Sequence, residues 1–252
     1  MGSIDSLVEL HRLIVKSTSI VVLSGAGMST ESGIPDFRSP GGIWEDDDLM
    51  AAMSDRYLRL HPEDFWQKFK FGFMSPDYLA AKPNVGHYAL VQLEQQGKDV
   101  TIFTQNVDGL HQLAGSHHVF ELHGNIRAAS CPRCQQEYDI SYIFAHETPR
   151  CEWQNPKGQI CDTVLRPDTV LFGQTVRHYE EAVRTIQNTD LLLVLGTSLT
   201  VEPVASLPSY VQRERTKLAI VNLDLTHIDE FADVVVRGKV GESLRIAIES
   251  IF

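Results

Sequence analysis

Basic residues are scarce in this chain: 22 Lys and Arg face 33 Asp and Glu over 252 residues, a formal net charge of −11. Such a surface repels phosphate on average, and no local basic patch offsets it, which argues against sequence-specific nucleic-acid binding. Cysteine is scarce as well, four in all, too few to staple a chain of this length, so the fold must rest on a buried core. Long hydrophobic runs are missing. The longest covers 191–195, far below the roughly 20 residues that cross a bilayer. No charged-then-apolar leader opens the sequence, and the expected location is cytoplasmic. The start, Met1-Gly2-Ser3-Ile4-Asp5-Ser6, formally matches the myristoylation pattern. Asp5 and Glu9 supply no polybasic second signal, so no membrane anchoring is expected. Internal repeats and low-complexity tracts are also absent, and 43% hydrophobic with 22% charged residues is the composition of an ordinary globular protein.

What the chain does have is a regular alternation of helical and strand patterns. Apolar or neutral residues at Ile4, Leu7, Val8, His11, Ile14 and Val15 follow the helical period and lead into 19–24, which reads as a buried strand ending in glycines. A helix over 85–96, stopped by Gly97, precedes strands at 100–104 and 119–122. Helices over 179–188, 204–213 and 242–251 then alternate with strands at 191–195, 218–223 and 234–236. Buried strands separated by amphipathic helices predict an α/β protein with a Rossmann-like, doubly wound parallel sheet of about six strands.

Two stretches break the rhythm. Residues 43–82 carry Trp44, Tyr57, Phe65, Trp66, Phe69, Phe71, Phe73 and Tyr78 at roughly helical spacing and no strand-like run, which predicts an inserted helical module; the acidic run from Glu45 to Asp48 reads as a solvated helix start. Residues 127–164 hold all four cysteines and are turn-rich, which predicts a metal-stapled module. The expected division is 1–42, 84–125 and 165–252 for the sheet domain, with 43–83 and 126–164 forming a smaller inserted domain.

The cysteines fall as Cys131-Pro-Arg-Cys134, then Cys151 and Cys161. Two thiolates two residues apart hold one tetrahedral Zn²⁺, and a second pair closes the shell, giving a structural site with no open position. The second pair is widely spaced, with Asn155-Pro156-Lys157-Gly158 between its members, a segment that reads as a turn folding back. The competing readings are simple buried thiols or two disulfides, the latter disfavoured in a reducing compartment; His146 is a reserve ligand.

After the first strand comes Gly25-Ala26-Gly27-Met28-Ser29-Thr30-Glu31-Ser32-Gly33-Ile34-Pro35-Asp36-Phe37-Arg38. Small residues here let the backbone approach a pyrophosphate. The spacing departs from G-x-G-x-x-G, and it leaves both a dinucleotide loop and a plain tight turn open. The next strands end in Thr104-Gln105-Asn106-Val107-Asp108-Gly109-Leu110-His111 and Glu121-Leu122-His123-Gly124, at the carboxyl ends where such sheets bind ligands. In a chain with ten histidines, His123 taken alone reads as structural more readily than as catalytic.

Taken together, these residues resemble the sirtuins, the Sir2 family of NAD-dependent protein deacylases. The stretches GAGMSTESGIPDFRS, TQNVDGLH, ELHG, the four cysteines, VLFG, GTSLTVEP and the strand end at Asn222 occur in that family's order across essentially the whole chain. The resemblance implies a Rossmann-type sheet with an inserted helical module and a zinc ribbon. It further implies that Gly25, Ala26, Gly27 and Arg38, with Gly196, Thr197 and Ser198, hold the NAD pyrophosphate and its neighbouring ribose. Asn222, Leu223 and Val240, near Lys239, would meet the adenosine end. Ser29, Ile34, Asn106 and Asp108 would form the nicotinamide pocket, with Asp108 accepting from the carboxamide. Gln105 would contact the nicotinamide ribose, Phe37 would shield the site after nicotinamide leaves, and His123 would be the general base.

Nicotinamide is a cationic leaving group, so the implied reaction needs shielding more than a strong nucleophile. The acetyl oxygen of an acyl-lysine captures C1′, and His123 deprotonates a ribose hydroxyl, a task suited to an imidazole titrating near neutral pH. The products would be lysine, nicotinamide and acetyl-ADP-ribose. The partner is therefore an acetyl-lysine protein or peptide, extended along segments around 170–173 and 202–204, with Val170 and Phe172 lining the acyl-lysine tunnel. Within the family, longer neutral acyl groups or mono-ADP-ribosyl transfer are the alternatives. Succinyl is disfavoured because the stretch 69–74 lacks the Arg that would pair with a carboxylate. Outside it, a nicotinamide oxidoreductase would yield NADH rather than free nicotinamide, and a nucleic-acid-binding zinc ribbon conflicts with the acidic charge.

Overall fold

The computed structural model describes residues 3–36 and 46–249. The chain divides into two compact units, the first made of Met1–Asp36, Ala81–Leu122 and Val176–Phe252, the second of Phe37–Ala80 and His123–Thr175.

The first unit is built on six parallel strands, β1 (Ser19–Ser24), β2 (Asp99–Thr104), β3 (Val119–Glu121), β7 (Leu191–Leu195), β8 (Lys217–Asn222) and β9 (Val234–Arg237), in the spatial order β3-β2-β1-β7-β8-β9. Counted within the sheet this is 3-2-1-4-5-6, the doubly wound order, and the strand sequence reverses between β1 and β7. These strands form because both faces are covered. Ile20, Val22, Ile102, Leu191, Leu193, Leu195, Ala219 and Val221 point to one side. Val21, Leu23, Phe103, Leu192, Val194, Leu218 and Ile220 point to the other. A period-2 chain buried on both sides reads as a continuous apolar run, as it does here. Helices α1 (Ile4–Lys16), α6 (Val85–Gln95) and α10 (Val240–Ile248) cover the first face, and α9 (Tyr179–Ile186) covers the second.

Helix α1 starts where Ser3 Oγ accepts from Ser6 N at 3.1 Å, a side-chain N-cap. Its buried stripe is Leu7, Leu10, Leu13 and Ile14, while Ile4, Val8 and Val15 face solvent, so the helix lies rotated from the expected stripe. The helix expected over 204–213 is a 3-10 helix over Val204–Tyr210. Pro208 lies inside it and has no N–H to give an α-helical bond. The last helix begins at Val240 rather than at 242.

The second unit contains α2 (Asp47–Ala52), α3 (Asp55–Leu60), α4 (Pro62–Phe73), α5 (Pro76–Ala80) and α8 (Ile140–Ala145), with an antiparallel sheet ordered β5-β4-β6 from Glu137–Asp139, Gly124–Ser130 and Arg166–Thr169. Asp46 caps α2 by accepting from Asp48 N and Leu49 N. The aromatic spacing of α4 makes this unit's core. Phe65 and Phe69 stack with centroids 5.7 Å apart, and Trp66 meets Phe69 edge-on at 5.5 Å. Trp66 Nε1 donates to Leu165 O at 3.1 Å, which ties the helices to the cysteine-bearing segment. Residues 165–175 lie in this unit, because β6 pairs antiparallel with β4, whereas the division expected from the sequence places them with the parallel sheet.

Among the described residues no helix is long and apolar enough to cross a membrane.

Candidate functional site

In the first unit, the polar residues singled out from the sequence collect at the carboxyl ends of β1, β2 and β7, where the strand order reverses. Gly25 N donates to Leu195 O at 2.9 Å and Gly27 N to Gly196 O at 2.8 Å, so the loop after β1 lies directly on the loop after β7. That approach requires glycine. Gly196 has φ +58, and a Cβ there would overlap the Gly27 and Met28 backbone; a Cβ on Gly27 would come within 2.8 Å of Gly196 Cα.

Above this contact, Ser29 Oγ donates to Asp108 Oδ2 at 2.7 Å, and Asn106 Nδ2 donates to Ser29 Oγ at 3.1 Å. Asp108 Oδ1 also accepts from Leu110 N at 2.8 Å at the start of α7 (Leu110–Ala114), which fixes the carboxylate's orientation. Gln105 Nε2 donates to Thr197 Oγ1 at 3.0 Å, joining the β2 and β7 ends. Ser29, Ile34, Asn106 and Thr197 are buried. Ser198 Oγ bonds with Thr200 Oγ1 at 2.9 Å. Asn222 closes β8 and donates from Nδ2 to Asp224 O, Leu223 is exposed, and Val240 is buried at the first position of α10. Phe37 and Arg38 lie outside the described residues.

These groups suit a carboxamide-bearing dinucleotide. Asn106, Ser29 and Asp108 offer an amide, a hydroxyl and a carboxylate, the donor and acceptor set that a carboxamide requires. The glycine contact keeps the two loops bare of side chains beside them.

In the second unit, His123 is half-buried, and its carbonyl accepts from Val170 N at 2.8 Å. Phe172 is about half exposed, and its N–H donates to Met53 O at 2.9 Å. The four cysteines gather at one point, all Sγ atoms within 4.8 Å of one another. The segment from Arg150 to Val164 is a hairpin with bridges Arg150 to Val164 and Gln154 to Ile160. It turns at Asn155, whose Oδ1 accepts from Lys157 N and Gln159 N, and so returns Cys161 beside Cys151 across the wide spacing. A tetrahedron with Zn–S bonds of about 2.3 Å has S···S edges of about 3.8 Å. Two of the pairs, Cys131 with Cys161 at 3.7 Å and Cys134 with Cys151 at 3.4 Å, fit it, and all four are free thiols. The cluster is positioned to hold a zinc ion; His146 is not among its members.

Sequence reasoning missed the residues that hold the first-unit site from behind. Asn84 Nδ2 donates to Met28 O at 2.8 Å and to Ser32 Oγ at 3.0 Å. Glu31 Oε2 accepts from Gly241 N at 2.6 Å. Asn84 carried a readable signal as the N-cap before a helical run, with His87 completing a capping box. Its grip on the glycine loop had none.

The architecture is that of a doubly wound nucleotide-binding sheet carrying a separate cysteine-clustered module. The Sir2 family model matches residues 25–203, and the chain belongs to the Sir2 family. It is 48% identical over 235 residues to an NAD-dependent protein deacetylase of Bacillus subtilis, covering 92% of this chain and 95% of the relative. It is 46% identical over 235 residues to one of Bacillus cereus, covering 93% and 94%. A solved Sir2 with p53 peptide and NAD⁺ superposes with a TM-score of 0.83 at 36% identity, over 96% of this chain and 97% of that one.

Proposed function

We infer that the protein is an NAD-dependent protein lysine deacetylase, which transfers the acetyl group of an acetyl-lysine protein or peptide to ADP-ribose and releases nicotinamide. The observation that carries this reading is the hydrogen-bonded set Asn106, Ser29 and Asp108 at the strand-order reversal. Family membership and the named deacetylases support it. NAD is the co-substrate. Bound there, it supplies an activated glycosidic bond.

In this reading Asn106 and Asp108 orient the carboxamide, with Ser29 holding the two side chains in register, while Gly25, Ala26, Gly27, Gly196, Thr197 and Ser198 take the pyrophosphate and ribose. Asn222, Leu223 and Val240 serve the adenosine end. Gln105 serves the nicotinamide ribose, and His123 accepts the proton from a ribose hydroxyl. Phe37 and Arg38 complete the cofactor set, Phe37 as the shield against water. Val170 and Phe172 line the acyl-lysine path. Cys131, Cys134, Cys151 and Cys161 hold the structural zinc, which supplies folding free energy and takes no part in the chemistry. The protein acts in the cytoplasm, without nucleic-acid or membrane partners.

Neutral acyl groups fit the second unit better than acidic ones. Phe69 and Phe73 of α4 are buried in the aromatic core, Phe71 is exposed, and Lys70 Nζ donates to the His146 carbonyl. The stretch from 69 to 74 thus offers no uncommitted cation to a carboxylate. The purified protein is tested with acetyl-lysine peptide and NAD⁺. Equal amounts of nicotinamide and deacetylated peptide are expected. NADH formation would overturn the reading in favour of an oxidoreductase, and ADP-ribose retained on the peptide would overturn it in favour of ADP-ribosyl transfer.

A further inference from the structure

Behind the Asn106, Ser29 and Asp108 set lies a buried polar chain with no part in the chemistry above. Ser24 ends β1, Thr104 ends β2, and both are essentially inaccessible. Ser24 Oγ donates to Thr104 Oγ1 at 2.9 Å, and Asn106 N donates to the same Thr104 Oγ1 at 3.0 Å. The remaining partner of Ser24 Oγ is His111 Nε2 of α7, at 3.0 Å. Because the Ser24 hydroxyl hydrogen is committed to Thr104, the imidazole must donate, which fixes His111 as the neutral tautomer protonated on Nε2.

A second histidine stands against the first. The His87 ring of α6 meets that of His111 with centroids 4.8 Å apart at 61°. His87 Nδ1 accepts from Asn84 N at 3.2 Å, so its proton also sits on Nε2. Asn84 in turn holds the glycine loop through Met28 O and Ser32 Oγ. The two rings therefore brace the two sides of the pocket from behind: His111 through Ser24 and Thr104 to the Asn106 backbone, His87 through Asn84 to the segment bearing Ser29. Both are fully buried, and burial holds both imidazoles in the neutral form.

We propose that His111 is a positioning residue for the nicotinamide pocket, its Nε2–H setting the hydroxyl relay Ser24 to Thr104 that aims the main-chain N–H, and with it the side chain, of Asn106. The proposal rests on the pocket assignment made above. His111 touches no substrate; it acts on the carboxamide end of the cofactor and leaves the ADP-ribose end alone. A role confined to folding would lower the fraction of active enzyme and shift no affinity. A positioning role shifts one affinity and spares the other.

The test compares His111→Phe, which keeps a ring but removes the donor, with His111→Gln, whose amide restores a donor at similar reach, and with Thr104→Val, which removes the acceptor at near-constant volume. Three readouts are taken on purified protein: thermal unfolding, the dissociation constant for ADP-ribose, and the KM for nicotinamide in base exchange. In His111→Phe and Thr104→Val the nicotinamide KM is expected to rise about tenfold, with ADP-ribose affinity unchanged within twofold and His111→Gln near wild type. Equal loss of both affinities, or an unchanged nicotinamide KM in either folded variant, overturns the proposal. If His111→Phe fails to fold, Thr104→Val and His111→Gln decide it alone. Absence of any nicotinamide exchange in the unmodified protein would instead overturn the functional reading itself.

Discussion

Every residue of β7 is buried, and so are five of the six in β1. In the cysteine hairpin, by contrast, all positions from Glu152 to Ile160 are exposed except the half-buried Asn155. Trp153 and Ile160, its large apolar residues, face solvent. The sheet is held by apolar area removed from water on both faces, at about 25 cal/mol per Å². The hairpin has almost no such area, and its fixed points are four sulfurs. The first region can lose a side chain and keep its form, because its stabilisation is spread over dozens of contacts. The second concentrates it in one place.

The sharpest way to break this contrast is to take the metal away. Zinc binding in small thiolate sites amounts to about 10–16 kcal/mol in zinc-finger peptides. Chelation, or Cys151→Ala, is expected to unfold the hairpin and abolish deacetylation while the parallel sheet survives. Metal analysis should find one zinc per chain in the wild type and a weakened site in the variant. Zinc-free protein with full activity would remove the cluster from its structural role.

The next largest effect separates the regions by chemistry. His123 belongs to the second unit, whereas the proposed nicotinamide pocket belongs to the first. His123→Ala is expected to keep NAD⁺ binding and most nicotinamide exchange but to lower net deacetylation by roughly 10² to 10⁴, the usual value of a general base. Near wild-type turnover in the variant would end the assignment.

The two regions were also unequally legible in the sequence. The strands of the sheet could be read because burial on both faces leaves only apolar residues, so 19–24 and 191–195 coincide with β1 and β7. The stretch 204–213 has helical spacing but carries Pro208, which can neither give the α-helical bond to the preceding turn nor pack its ring against it, and the segment is a 3-10 helix over Val204–Tyr210. The cysteine cluster was legible as a ligand set, and Asn155-Pro156-Lys157-Gly158 as the turn that returns Cys161 to Cys151; the bridges from Arg150 to Val164 and from Gln154 to Ile160 were not, since main-chain pairing leaves no side-chain pattern there. In the candidate site, Asn106 and Asp108 stand out in the motif. The bracing by His111 does not, since Ser24 and Thr104 come to it only through parallel pairing of β1 with β2.

Spread-out stabilisation is tested by Leu193→Ala in the centre of β7, a fully buried position. A cavity of that kind costs about 2–5 kcal/mol. The urea midpoint of the variant is expected to fall accordingly, while zinc content stays at one per chain. Loss of the metal together with the stability would show that the two regions are not stabilised separately.

The smallest expected effect sharpens the contrast by pH. Burial pushes His87 down to about 4 from an ordinary 6.5, and it holds His111 well below the ordinary value as well. A histidine depressed in the folded state binds fewer protons than in the unfolded chain between those values, so stability is full above about pH 6.5 and is lost as pH falls toward 4. For His87 alone the loss is about 2 kcal/mol by pH 5, taking 1.36 kcal/mol per pKa unit, with His111 adding in the same direction. Asp190 and Asp233 lie below their ordinary carboxylate value of 3.8, and their contribution disappears only at more acid pH, so these two carboxylates add nothing to the decline between 7.5 and 5. Urea unfolding of the sheet followed across that interval should show the decline, and His87→Gln should make it shallower, leaving the part that belongs to His111. A decline of equal steepness in that variant would place the pH sensitivity elsewhere in the molecule.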